Sequence, residues 1–226
     1  MAITLLNIQE QVRNRADMKE SSFVEDSELI FYINQSIKEL HDLITDAYGS
    51  DYYSETYEFL TVLNQDAYDL PADFYELRGV DVKLQGDTWF TIQRYNFNER
   101  NRYKEPTTWA VYNAPHIRYR LVGDKLRFNP PADTNTPIRL WYIPKAQNLV
   151  LATDAYNDFN GWIEYVIVDA AIKCLQKEES DVTILAAQKS ALLVRIESKS
   201  KNRDAGSPES VYDIHAENSD FPWRGR

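Results

Sequence analysis

The strongest constraint on this chain is a change in its hydrophobic period, which is helical up to about Gly49, two-residue from about Tyr52 to Pro144, and helical again from Asp158. An amphipathic helix is stable in water only when its apolar stripe meets another one. The helical stretches lie at the two ends of the 226 residues, so they must find each other across the strand-forming middle. This predicts an α+β fold. Residues 1–51 and 152–205 form an antiparallel helical bundle, residues 52–151 an inserted small antiparallel β-sheet or barrel, and residues 206–226 an extended tail.

The first helix is expected to start near Thr4, with Leu5, Ile8 and Val12 at helical spacing. A second follows the acidic turn VEDSE, where Asp26 or Ser27 is suited to cap and Glu28 complements the N-terminal dipole. Its stripe is Ile30, Ile33, Ile37, Leu40 and Ile44, and Gly49 is placed to end it. Beyond the strands, Asp158 or Asn160 is suited to cap a helix whose buried face runs from Trp162 and Ile163 through Val166, Ile167, Ala170 and Ala171 to Cys174. The last helix starts at Asp181, carries Ile184, Leu185, Ala191, Leu192 and Ile196, and turns basic at Lys199, Lys201 and Arg203 before Gly206 and Pro208 stop it.

In the middle segment, YEFLTVL, LRGVDVKL, TWFTIQRY, TWAVYN, IRYRLV, KLRFNP and IRLWYIP alternate as strands do. Gln85-Gly86-Asp87 and Gly123-Asp124 lie between alternating runs, where tight hairpins need residues that tolerate positive φ. Pro71, Pro106, Pro130, Pro131 and Pro137 are expected at turns or strand starts, where a missing N–H does no harm.

Charge is segregated along these boundaries. Residues 1–66 hold thirteen acidic and four basic side chains, residues 67–150 nine and twelve, and residues 151–226 thirteen and nine, for a net charge of -10. Solvated faces account for such a pattern, and so do complementary ends that dock one copy beside another. One cysteine, Cys174, rules out an intramolecular disulfide framework, and no signal peptide is apparent, which points to folding in a reducing cytoplasm. No apolar run reaches the ~20 residues that span a bilayer, so membrane insertion is not expected.

Nothing in the sequence nominates an enzyme. His41, His116 and His215 fall in different segments, and there is no HExxH, CxxC, GxSxG, GxGxxG or Walker-type loop. His41-Asp42 has the form of a metal-dependent phosphohydrolase dyad, but Asp42 and Asp46 also fit the wet face of the second helix. The acidic runs before the second and fourth helices serve the helix dipole. No catalytic residue, metal ligand or cofactor is assigned.

Two binding readings remain. In the middle segment Arg94, Arg100, Arg102, Lys104, Arg118, Arg120 and Arg127 are interleaved with Tyr95, Phe97, Tyr103, Tyr119 and Phe128, the mixture that stacks bases and neutralises phosphates. The alternation of IRYRL sets Arg118 and Arg120 together on the solvent side of an ordinary strand, and the overall charge opposes a polyanion. Trp89, Trp109, Tyr112 and Trp141 are candidate platforms for a glycan or a base. The tail AGSPESVYDIHAENSDFPWRGR has neither period, yet carries Val211, Tyr212, Ile214, Phe221 and Trp223, large apolar residues that a purely solvating tail lacks. It reads either as a frayed terminus or as a docking segment for another protein.

Five phrases in order, TLLNIQEQV, EDSELIFYINQSIKEL, LPADFYELRGV, YRLVGDKLRFNPPAD and WYIPKAQNL, resemble the head-to-tail adaptor (connector) proteins of tailed bacteriophages, in particular the adaptors of short-tailed viruses. The resemblance implies a structural virion protein of the neck, assembled in the host cytoplasm. Copies would form a ring, usually of twelve, between the portal protein and the tail or nozzle protein, and double-stranded DNA would pass through it. It further implies that Val211, Tyr212, Ile214, Phe221 and Trp223 dock on the portal and that the β insertion faces the next tail component. An acidic lumen would suit passage, since it repels the phosphate backbone.

Overall fold

A computed structural model describes residues 2–19, 23–48, 52–83, 88–101, 117–132, 135–158 and 161–201. The chain opens with a short strand β1 (Ala2–Thr4) and helix α1 (Leu5–Arg15), followed by helix α2 (Asp26–Tyr48). The Thr4 hydroxyl caps α1 by accepting the Asn7 N–H, and Leu5, Ile8 and Val12 are wholly buried, as their spacing predicts. In α2 the buried apolar positions are Leu29, Ile33, Ile37, Leu40 and Ile44.

The middle segment supplies β2 (Glu55–Leu60), β3 (Ala67–Asp69), β4 (Phe74–Lys83), β5 (Trp89–Ile92), a 3-10 turn at Phe97–Glu99, β6 (Arg118–Val122), β7 (Lys125–Asn129) and β8 (Pro137–Pro144). Then come β9 (Ala155–Asn157), helix α3 (Ile163–Lys177) and helix α4 (Thr183–Lys201). The strands make a four-stranded antiparallel sheet in the order β2-β8-β4-β5 and a three-stranded one in the order β3-β7-β6. β1 pairs with β9, with Ala2 opposite Asn157.

Two buried clusters result. One joins all four helices, through residues such as Leu5, Ile37, Val166 and Ile196. The other lies among the strands, where Val80, Val82, Ile92, Leu126, Phe128 and Leu140 meet. The return from strands to helices is clamped by Asn34, a buried residue of α2. Its side-chain amide donates to the Leu149 carbonyl and accepts the Leu149 N–H, both at 2.8 Å, while Leu149 enters the helical cluster. Both polar ends of a buried side chain are thus satisfied by one residue's backbone, as burial demands.

Several expectations need correction. The described strands form separate sheets and no closed barrel. Strand pairing in YEFLTVL stops at Leu60. α2 begins with Asp26 already inside it, and the Glu25 carbonyl accepts the Leu29 N–H. Asp26 serves instead as the partner of Arg13, at 2.8 Å. β1, β3 and β9 are three residues each, too short for alternation to announce. On α4, Ile184 and Ala191 point to solvent although the stripe drawn from the sequence included them. The Gly123-Asp124 hairpin is present, with Val122 opposite Lys125 and Gly123 at φ 62°. β4 and β5 also pair, with Lys83 opposite Trp89, while Gln85-Gly86-Asp87, Gly49, Asn160 and the strand TWAVYN lie outside the described residues.

Candidate functional site

At the junction of helices and strands, His41 of α2 stacks on Tyr53 with ring centroids 4.4 Å apart and meets the edge of Tyr75 at 5.5 Å. Burial lowers its pKa, only partly offset by Asp42, whose carboxylate lies 3.7 Å from Nδ1. The imidazole is therefore a neutral packing group at pH 7. Asp42 is exposed and accepts the Tyr75 hydroxyl at 2.9 Å, a contact that ties α2 to β4. Among the described residues no group of three or more His, Cys, Asp or Glu could hold a metal ion. The Cys174 thiol is buried, which raises its pKa to about 11 and leaves it unreactive.

α4 is held to the other helices by a buried charge. Asp169 of α3 is 2 % exposed and binds Lys189 of α4 at 2.6 Å, Lys173 at 2.7 Å and the Ser36 hydroxyl of α2 at 2.6 Å. Fixed this way, α4 turns Leu185, Leu192 and Ile196 towards the helical cluster. Its opposite side carries Ile184, Ala187, Ala191 and Val194, at successive spacings of three, four and three, all exposed; Ile184 is 73 % and Val194 64 % accessible. That is an apolar seam on the solvent side of a helix already packed on its other side. On α2, exposed Phe31 joins Val150 in lining a mainly apolar groove of about 390 Å³, and Leu151 beside it is also exposed.

The outer face of the four-stranded sheet is internally satisfied. The Arg139 guanidinium lies 4.0 Å from the Trp89 ring centroid and pairs with Glu58 at 2.7 Å. Trp141 donates its indole N–H to Asp81 at 2.6 Å. Each ring is thus engaged by a neighbour within the sheet, with Trp141 still 37 % exposed, and Trp109 and Tyr112 lie outside the described residues. On the three-stranded sheet Leu126 and Phe128 are buried, which sends Arg118, Arg120, Lys125 and Arg127 to the other face, as the alternation of IRYRL requires.

Residues 3–211 match the family model described as SU10 adaptor protein. The chain belongs to that family. It is a structural adaptor of the bacteriophage head-to-tail class. No curated protein matches the chain significantly. In an adaptor the groups of interest are surfaces for other chains, and the apolar seam on α4 is the one that sequence reading missed. Its signal was present: apolar residues occupy both sides of the α4 period, more than one buried stripe requires.

Of the five docking residues assigned to the adaptor's tail, Val211, Tyr212, Ile214, Phe221 and Trp223 all lie outside the described residues, as do His116 and His215. Only Val211 falls within the span matched by the family model. No described helix of the adaptor is long and apolar enough to cross a membrane.

Proposed function

We propose that this adaptor forms a closed ring in the virion neck, between the portal protein and the tail or nozzle protein, with double-stranded DNA passing through. Twelve copies is the number that the resemblance implies. The observation that carries the reading is the α4 seam. Ile184, Ala187, Ala191 and Val194 form an exposed apolar row on a helix whose other side is already packed, a surface suited to cover by a second one. The Phe31–Val150 groove is a separate apolar surface on α2. Two different patches joined head to tail generate a ring when the rotation closes.

The tail, residues 206–226, is the proposed portal-docking segment, with Val211, Tyr212, Ile214, Phe221 and Trp223 as its apolar anchors. The acidic helical segments suit a passage along which DNA slides without adhering.

The test is the mass of the purified chain alone and mixed with the portal of the same virus, by native mass spectrometry, with and without residues 207–226. Ring stoichiometry on the portal for the full chain, and none for the truncated one with its helical circular dichroism unchanged, is the expected result. No association of the full chain overturns the reading. Loss of folding on truncation overturns the assignment of the tail as a separate docking segment.

A further inference from the structure

The outward face of the β3-β7-β6 sheet carries an arginine cluster that the adaptor role leaves unused. Arg120 on β6 lies directly opposite Arg127 on β7, and Arg118 is two residues away on the same side. Like charges facing each other across a ladder destabilise it, so the sheet holds this arrangement at a cost. Arg127 leans towards Asp66, at 3.7 Å, and Arg118 donates to the Gln93 side chain. Arg120 has no carboxylate partner among the described residues. It lies against the Phe97 ring, 5.3 Å from the centroid, and Arg100 covers the same ring at 4.6 Å. Phe97 itself is 59 % exposed.

Stacking on an aromatic ring immobilises a guanidinium and leaves its N–H edge for an oxyanion; Arg100 spends one of its N–H groups on the Phe97 carbonyl, at 3.2 Å. Beside the stack a cleft of about 470 Å³ sets Arg100, Arg127 and Asp66 among the apolar Tyr95, Pro130 and Pro131.

We propose that this face, centred on Arg100, Arg120 and Arg127, binds the phosphodiester backbone of nucleic acid, with double-stranded DNA as the ligand. An acidic protein partner fits less well, because protein interfaces are anchored by buried apolar side chains and are poor in charge at their centre. Here the centre is charged, and its single large apolar ring is flanked by two guanidiniums. A face centred on guanidiniums recognises a regular array of charges, independent of base sequence. Binding by one copy is weak, and a ring multiplies it. The biological role rests on DNA passing through the assembly, whereas the contact is a property of the single chain.

The experiment is fluorescence anisotropy of a labelled mixed-sequence DNA duplex with the full chain, titrated over a range of salt concentrations. Expected is sequence-independent binding whose logarithm falls with log salt at a slope of about -3, from three to four phosphate contacts. Arg100→Gln with Arg120→Gln should flatten that slope by about two, and Arg78→Ala, on the four-stranded sheet, should leave it unchanged. The same variants are mixed with the portal in the mass measurement. No DNA binding at low salt, or an unchanged slope in the double variant with its melting temperature intact, overturns the proposal. So does poly-glutamate competing as well as DNA at equal charge. Portal association retained in any of these cases means that only this inference fails, not the adaptor reading.

Discussion

Asp169 shows how much one residue decides in this chain. Burial pushes its carboxyl pKa up, but hydrogen bonds from Lys173, Lys189 and Ser36 outweigh that and hold it below the ordinary value. The same contacts raise the Lys189 pKa against the opposing effect of burial. A carboxylate whose pKa is lower in the folded than in the unfolded chain contributes stability above the unfolded pKa, near 3.9. That stability is lost as pH falls through the folded pKa. Asp169→Asn keeps the shape but leaves Lys173 and Lys189 facing a neutral amide, and breaking such a buried pair costs about 3 kcal/mol. Urea unfolding should show a loss of that size at pH 7 and a much smaller difference between the two proteins in acid. Equal stability at pH 7 would mean that the lysines find solvent when the carboxylate is gone.

At the scale of elements, α4 carries the prediction most specific to assembly. Val194→Asp with Ile184→Asp alters two side chains that are already exposed, so the monomer should unfold within about 0.5 kcal/mol of the original. If the seam is a contact between copies, the same changes bury unpaired carboxylates there and abolish the ring in native mass spectrometry. A ring that persists with both aspartates present would place the interface elsewhere. Local rules made much of this architecture legible in the sequence. Thr4 caps α1 within one turn, Leu5, Ile8 and Val12 repeat at helical spacing, and a two-residue loop beginning with Gly123 fixes a hairpin by its positive φ. What escaped depends on residues far apart in the chain. The β1–β9 pairing brings Ala2 to Asn157 over three-residue strands, and Asn34 finds Leu149 with no periodic signal at either end. Which side of α4 is buried was equally hidden, because both sides are apolar and the choice is made by Asp169 holding Lys189.

For the whole molecule, the proposed function divides between a folded body that would pack against its own copies and a terminal segment, residues 206–226, that would reach a different protein. Charge divides the body itself: residues 1–66 are strongly acidic and the strand-rich middle is slightly basic. A ring built from such a body presents acidic and basic zones at different places, so attachment to the portal need not depend on the body's charge if the tail supplies apolar anchors. Phe221 and Trp223 are the largest of those anchors and lie two residues apart around Pro222. Proline restricts the residue before it to extended backbone, which reduces the ordering entropy when the segment docks. Phe221→Ala and Trp223→Ala should each weaken portal binding by about 2 kcal/mol, the size of an interface hot spot, with little dependence on salt. Affinity unchanged in both variants would remove them as anchors. A loss that grew at low salt and vanished at high salt would indicate that Arg224 and Arg226, and not the aromatic rings, make the contact.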